Sequence, residues 1–432
     1  MKKTSYVPPC DQIVEYMSRV YYNGMTTTSG GNLSIMDESG DMWISPTSVD
    51  KGTLRREDII CVKADGTIVG PHRPSSEYPF HRAIYKMRPD IKAILHAHPP
   101  VLVSFSVAGR LPDTAIFPVA KRLCGKIGYA GYAIPGSEAL GDLVAAEFAR
   151  GCNDILLENH GTCCAGADMA EAFARFETLD FCARMQAGAI RLGEVKPLDD
   201  RQLAECDAVR NDAFTPVKDL PHTTAELECR EQMCRLIRRA YRQHLFTAAT
   251  GTYAWRFDDN SLLVTPHGVD RAGITAEDLV LVTAGNAYED GKSPSHALWF
   301  IRRLFDAHPE HKAAIIAAPP SIMSYAVSHE KFDPRVIPES YIMLREMPVF
   351  TIRQAFDHPD EVANGISPRY PIAIIENSGV VSTGSSLLQP FDRLEVAEYS
   401  AQATIACRDL GGMKPITGKE IDDIVDAFKL PR

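Results

Sequence analysis

Apolar positions along this chain come in two kinds of run. Short apolar stretches bounded by turn residues, at 59–62, 91–98 and 154–158, read as strands. Longer segments at 11–22, 137–150 and 169–192 are amphipathic, their apolar residues returning with the period of a helix. Strands alternating with helices predict an α/β or layered α+β fold, with helices packed on a sheet. The order of the strands is not legible in this pattern.

The pattern also occurs twice. Shifting the chain on itself by 220 residues places Pro46 on Pro266, Asp50 on Asp270, Glu57-Asp58 on Glu277-Asp278, Pro74-Ser75 on Pro294-Ser295 and Pro99-Pro100 on Pro319-Pro320. Between 46 and 107, 19 of 62 positions are identical with no gap, so one whole domain has been duplicated in tandem. Domains at 8–195 and 223–425 are expected. Residues 196–222, rich in charges and prolines and without sustained apolar periodicity, are expected to form a linker.

Composition narrows the function. A chain of 432 residues with 45% hydrophobic and 24% charged positions has enough apolar residues for two substantial cores, which excludes fibrous, disulfide-scaffold and wholly disordered classes. The net charge of −10 opposes a role on nucleic acid or on an anionic membrane, since phosphate backbones demand a concentrated positive footprint. No apolar run approaches the roughly 18 residues of a membrane span. The 11 cysteines contain no C-x-x-C pair, and the chain opens without a charged-then-apolar leader, so a reducing cytoplasm is the expected setting.

Chemistry concentrates in a few segments of the first half. His96-Ala97-His98 closes an apolar run. In a strand, residues two apart share a face, so the two imidazoles can grip one cation. His160 follows a second such run, in Glu158-Asn159-His160-Gly161, and Glu77 in Ser75-Ser76-Glu77 is the acidic partner. Three imidazoles with a carboxylate or water make a four-coordinate zinc site open to substrate. His72 and His81, on either side of Glu77, lack ligand spacing and read as surface or helix-face residues. A second group, Ser29-Gly30-Gly31-Asn32, Thr47-Ser48 and Ser75-Ser76, offers turn amides and hydroxyls to an anion. Neither a P-loop nor a dinucleotide fingerprint is present.

The second half supplies an internal control. His96 becomes Ile316, His98 becomes Ala318, Glu77 becomes Ala297, and in the matching segment Glu376-Asn377-Ser378-Gly379 the third histidine becomes Ser378. All four site residues are lost together while the surrounding scaffold persists. One chemically competent domain and one degenerate copy are expected.

Taken in order, Gly31-Asn32-Leu33-Ser34, Ser45-Pro46-Thr47, Ser75-Ser76-Glu77, His96-Ala97-His98-Pro99-Pro100 and Glu158-Asn159-His160-Gly161 resemble the class II aldolase/adducin family. The resemblance implies a central, mostly antiparallel sheet covered by helices. It makes His96, His98 and His160 ligands of one zinc ion per chain and Glu77 the catalytic acid/base. Ser29, Gly31, Asn32, Thr47, Ser48, Ser75 and Ser76 would hold a substrate phosphate. It further implies a metal-dependent lyase that cleaves a ketose 1-phosphate, such as L-fuculose 1-phosphate, to dihydroxyacetone phosphate and a small aldehyde. Phosphate-sugar aldolases of the family also use a tyrosine, contributed across a subunit boundary, to protonate the leaving alkoxide; here the sequence departs from the pattern, with Phe117 about where that tyrosine would stand and Tyr129 and Tyr132 as candidates that read otherwise as core or interface aromatics. Family members assemble as fourfold rings with sites at subunit interfaces, so a homo-oligomer is implied, either a dimer forming a pseudo-tetramer of domains or a tetramer. Two other activities stay open: epimerisation or dehydration of a sugar phosphate on the same metal, and a non-catalytic, adducin-like assembly role.

Overall fold

The structure, a computed structural model, describes residues 7–208, 210, 213–258 and 261–430. The chain divides into two compact units, one of residues 1–114 and 119–183, the other of 115–118 and 184–432.

The first unit is built on an eight-stranded sheet. Its strands are β1 (Asn32–Met36), β2 (Met42–Ile44), β3 (Ile60–Val62), β4 (Ile68–Val69), β5 (Ala93–Ala97), β6 (Ile127–Ala130), β7 (Asp154–Leu157) and β8 (Gly161–Gly166), in the spatial order β4-β3-β2-β1-β5-β8-β7-β6. Every pairing is antiparallel except β6 with β7. Its helices are α1 (Pro9–Tyr22), α2 (Tyr78–Met87), α3 (Pro100–Val107) and α5 (Glu138–Ala149), with α4 (Pro118–Cys124) from residue 119 onward and α6 (Met169–Leu192) as far as residue 183. The core is a continuous apolar cluster in which Phe80 and Ile84 of α2 and Val144 and Phe148 of α5 meet Ile44, Ile60, Ile94 and Ile155 of the sheet. Burial of this kind contributes roughly 1.5–3 kcal/mol per large apolar side chain.

Strand β5 lies at the centre. It is buried along its whole length, with Asn32 of β1 opposite His96 on one side and Cys163 of β8 on the other. Pro99 and Pro100 end the strand and start α3, because proline cannot donate to a ladder but suits a first helical turn. The end of the central strand therefore becomes an open edge of backbone where side chains can converge.

The second unit repeats the plan. Strands β9 (Thr215–Val217), β10 (Thr252–Arg256), β11 (Ser261–Val264), β12 (Val280–Thr283), β13 (Ala287–Glu289), β14 (Ala313–Ala317), β15 (Val349–Phe350), β16 (Ile372–Ile375) and β17 (Gly379–Gly384) form a nine-stranded sheet ordered β15-β16-β17-β14-β10-β11-β12-β13-β9. The register matches that of the first unit at the same offset, Thr252 facing Ile316 as Asn32 faces His96.

The segment 196–222, expected to be a plain linker, carries structure. Helix α7 (Asp200–Asp207) opens with a capping box at Asp199, and β9 pairs in parallel with β13. Leu198 and Leu203 pack on Ile352, and Phe214 joins the second core. Isolated apolar anchors of this kind have no periodicity, so the pattern of the chain does not display them.

Candidate active site

Three imidazoles converge at the end of β5. His96 sits on the strand, fully buried, and His98 lies just beyond it, its backbone N–H donating to the carbonyl of Met25. His160 occupies the tight turn between β7 and β8, where Asn159 takes a positive φ of 53° and the His160 N–H bonds Leu157. The ligand-capable ring nitrogens of His96, His98 and His160 all lie within 4.8 Å of one another.

Two glycines permit the close approach. A Cβ on Gly161 would lie 2.5 Å from the His98 ring and 2.6 Å from the Ala97 carbonyl oxygen. Gly31, at φ +73°, passes so near β5 that a Cβ would sit 2.9 Å from the His96 carbonyl oxygen. Glycine alone fits such a position without strain or collision.

Glu77 enters from the start of α2, where it is the residue before the first helical turn. Its backbone N–H donates to the Ser75 hydroxyl, and its carboxylate is buried. Oε2 lies 3.2 Å from His96 Nε2, and Oε1 lies 3.2 Å from His160 Nε2. Burial alone would raise the carboxyl pKa, but the adjacent His96 and His160 outweigh it and hold the group well below the usual carboxylate range. Oε1 has no hydrogen-bond partner despite its burial, so its contact with His160 is not aligned as a hydrogen bond.

The donor set suits a metal ion. His96 Nδ1 lies 2.9 Å from the Thr162 carbonyl oxygen, which can only accept, so Nδ1 carries a proton and Nε2 is the nitrogen that faces the cluster. His98 Nε2 faces His96 Nε2 at 3.1 Å. Burial, reinforced by His96 and His160, pushes His98 down to about pKa 3, so its ring is neutral. Two imidazole nitrogens this close require a proton or a cation between them. Three convergent imidazoles beside an unsatisfied carboxylate oxygen fit the second alternative.

Asn32 does more than the sequence indicated. Its side-chain N–H donates to Glu77 Oε2 at 2.7 Å, and its carbonyl oxygen is met by His81 Nε2 at 2.5 Å. His81, expected at the surface or on a helix face, lies on α2 but is completely buried, and burial pushes it down to about pKa 3. His81 Nδ1 reaches Ser34 Oγ at 2.7 Å, and Ser34 Oγ reaches the Tyr85 hydroxyl at 2.8 Å. His72 is only half-buried and bonds Asp58.

The other positions expected to hold an anion are more open. Ser75 is buried beside Glu77, whereas Ser29, Ser48 and Ser76 are exposed and Thr47 is half-exposed. The segments 45–47 and 73–75 are tied by backbone hydrogen bonds from Thr47 to Arg73 and from Ser75 to Ser45. Tyr129 is half-buried on β6 near Glu158, and the Tyr132 side chain is exposed.

A mostly antiparallel sheet sheathed in helices, built twice along the chain, carries a three-histidine cluster and a buried glutamate at the end of its central strand in the first copy. The profile of the class II aldolase and adducin N-terminal domain matches residues 11–187 and again 231–405, and the chain belongs to this family, with two tandem copies. Among its relatives, a 5-deoxy-D-ribulose 1-phosphate aldolase of Bacillus thuringiensis serovar kurstaki is 30% identical over 45% of this chain and 91% of its own length. An L-fuculose phosphate aldolase of Methanocaldococcus jannaschii is 32% identical over 40% of this chain and 93% of its own. A 3-oxo-tetronate 4-phosphate decarboxylase of Haemophilus influenzae is 31% identical over 44% and 96%. All three relatives are lyases. Among the described residues, no helix is long and apolar enough to cross a membrane.

Proposed function

We propose that the first unit is a zinc-dependent lyase that cleaves a ketose 1-phosphate, such as L-fuculose 1-phosphate, by retro-aldol chemistry to dihydroxyacetone phosphate and a small aldehyde. One observation carries the reading: both oxygens of a buried carboxylate lie 3.2 Å from ring nitrogens of a three-histidine cluster that suits a metal. His96, His98 and His160 would hold the zinc. When bound, it supplies Lewis-acid polarisation of the substrate carbonyl.

The chain's own residues then divide the work. Breaking the C3–C4 bond turns the C4 hydroxyl into the aldehyde carbonyl, its proton passing to a base for which Tyr129 and Tyr132 are the candidates, and leaves an electron pair on the carbon next to the ketone carbonyl, where Glu77 delivers a proton. Asn32 occupies Oε2, so Oε1, which has no hydrogen-bond partner, is the atom that moves the proton. The hydroxyls of Thr47, Ser48, Ser75 and Ser76 bind the substrate phosphate, with Ser29 and Gly31 beside them. Because the Asn32 amide is committed to Glu77, its first task is to orient the carboxylate.

A second reading within the same chemistry is decarboxylation of a 3-oxo acid phosphate, favoured by the likeness to the Haemophilus influenzae decarboxylase. Loss of carbon dioxide leaves the same kind of electron pair for Glu77 to protonate. The test is a panel of ketose 1-phosphates and 3-oxo acid phosphates, assayed for triose phosphate and for carbon dioxide with the zinc-loaded protein and with Glu77→Gln. Release of dihydroxyacetone phosphate, lost in Glu77→Gln, supports the aldolase. Release of carbon dioxide alone would transfer the site to the second reading.

A further inference from the structure

Glu77 is the end of a longer chain of buried polar groups. Asn32, Ser34 and His81 are almost wholly inaccessible, and Tyr85 sits inside the apolar core that α2 and α5 form on the sheet. Hydrogen-bond direction along the chain follows from its two ends. Asn32 spends its N–H on Glu77, so its carbonyl oxygen must accept, and the neutral His81 must donate from Nε2. His81 Nδ1 is then an acceptor, taking the Ser34 O–H, and Ser34 Oγ in turn accepts from Tyr85. Every member has one role, and reversing the Asn32 amide would leave a donor facing a donor at His81 and a carbonyl facing a carboxylate at Glu77.

The second unit shows that the fold does not require this chain. At the same offset and in the same strand register, Asn32, Ser34, Glu77, His81 and Tyr85 are replaced by Thr252, Ala254, Ala297, Ile301 and Phe305. Ala254, Ile301 and Phe305 are buried in an ordinary apolar core, and Thr252 turns instead to Ser295 at 2.6 Å. Apolar residues at such positions are commonly neutral or stabilising relative to a buried polar network. The polar set is therefore kept where Glu77 is kept and lost where it is lost.

We infer that His81, Ser34 and Tyr85 are positioning residues, a buried hydrogen-bond chain that locks the Asn32 amide in one orientation and through it fixes the Glu77 carboxylate beside the histidine cluster. The inference rests on Glu77 being the acid/base of the proposed lyase. The hydrogen bonds of His81 run to Asn32 and Ser34 and not to the proposed metal ligands, so it acts through Asn32. Networks of this kind behind a metal site typically contribute on the order of 10–100-fold to affinity or rate.

The test compares zinc-loaded wild type with His81→Leu, which removes both hydrogen bonds, and His81→Gln, which keeps a donor for Asn32. Two readouts are taken: the side-chain amide resonance of Asn32 and the carboxyl carbon resonance of Glu77 at fixed pH, and the rate of solvent deuterium exchange into dihydroxyacetone phosphate. The expected result is a shift of both resonances in His81→Leu, with kcat for exchange lowered roughly 10–100-fold and KM within about twofold, and recovery of most of both in His81→Gln. A folded His81→Leu protein that retains its metal, leaves both resonances in place and exchanges at the wild-type rate would overturn the inference. If wild type exchanges nothing, the lyase reading fails, and the two resonances alone decide whether His81 positions Glu77. Should His81→Leu not fold, Tyr85→Phe, which copies the residue of the second unit, gives the same readouts one bond further out.

Discussion

Asn32 and Glu77, 45 residues apart in the chain, are joined by a 2.7 Å hydrogen bond from the amide to the carboxylate at the centre of the first unit. The bond ties the first strand of the sheet to the start of α2. It also leaves the two carboxylate oxygens unequal, one satisfied and one not.

Removing that bond is expected to affect turnover more than binding. Asn32→Ala leaves His81 Nε2 without its acceptor and Glu77 Oε2 without its donor, and an unmet buried group costs about 1–3 kcal/mol. We expect kcat for ketose phosphate cleavage to fall roughly 10–100-fold, measured by steady-state kinetics alongside zinc content. A fall in zinc content with no change in kcat per zinc would contradict the assignment of Asn32 to Glu77.

Gly161→Ala tests the steric argument. The added methyl group collides with the His98 ring and with the carbonyl of Ala97, which the sheet holds in place, and overpacking of this sort costs about 1–3 kcal/mol. Displacement of His98 is expected to weaken metal binding by at least about tenfold while far-ultraviolet circular dichroism stays that of wild type. Unchanged zinc affinity would show that the turn relaxes freely.

Stability should depend on pH through His81. Its pKa in the folded chain is pushed down to about 3 from an ordinary 6.5, first by burial and then by His96, with Glu77 opposing. Between those values the unfolded chain binds a proton that the folded chain does not. Its stabilising contribution is therefore complete above about pH 6.5 and declines as pH falls toward 3. His98 has the same sign but is common to wild type and variant. Denaturant melts from pH 7 to 4 should give His81→Gln a shallower loss of stability, by about one proton. Parallel profiles for the two proteins would contradict a neutral, buried His81.

Zinc should also stabilise the protein by mass action, since a folded site binds what the unfolded chain binds less well. At about 100 times Kd the gain is roughly 2.7 kcal/mol. A rise in the thermal midpoint on adding zinc is expected for wild type and absent for His98→Ala. Equal rises in both would place the ion elsewhere.

Much of this site was legible because the chain contains its own comparison. The strand ending in His96-Ala97-His98 and the turn bearing His160 stood out by spacing, and the loss of both in Ile316, Ala318 and Ser378 separated chemistry from scaffold. The same comparison applied to His81, Ser34 and Tyr85 shows Ile301, Ala254 and Phe305, a polar-to-apolar change at three positions. That signal was present, but nothing in the spacing of Ser34 and His81 announces a contact across 47 residues between a strand and a helix. Strand order was not legible for the same reason: pairing of β5 with β1 and β8 is a long-range fact that local pattern does not contain. The helix and strand inside 196–222 were missed because single anchors, Leu198, Leu203 and Phe214, hold them in place of a repeating face.

That each chain has one competent metal site and one degenerate copy is tested most directly by elemental analysis of the purified protein. About one zinc per chain is expected in wild type and almost none in His96→Ala, with the variant still folded. Two zinc ions per chain, or a content unchanged by His96→Ala, would contradict it.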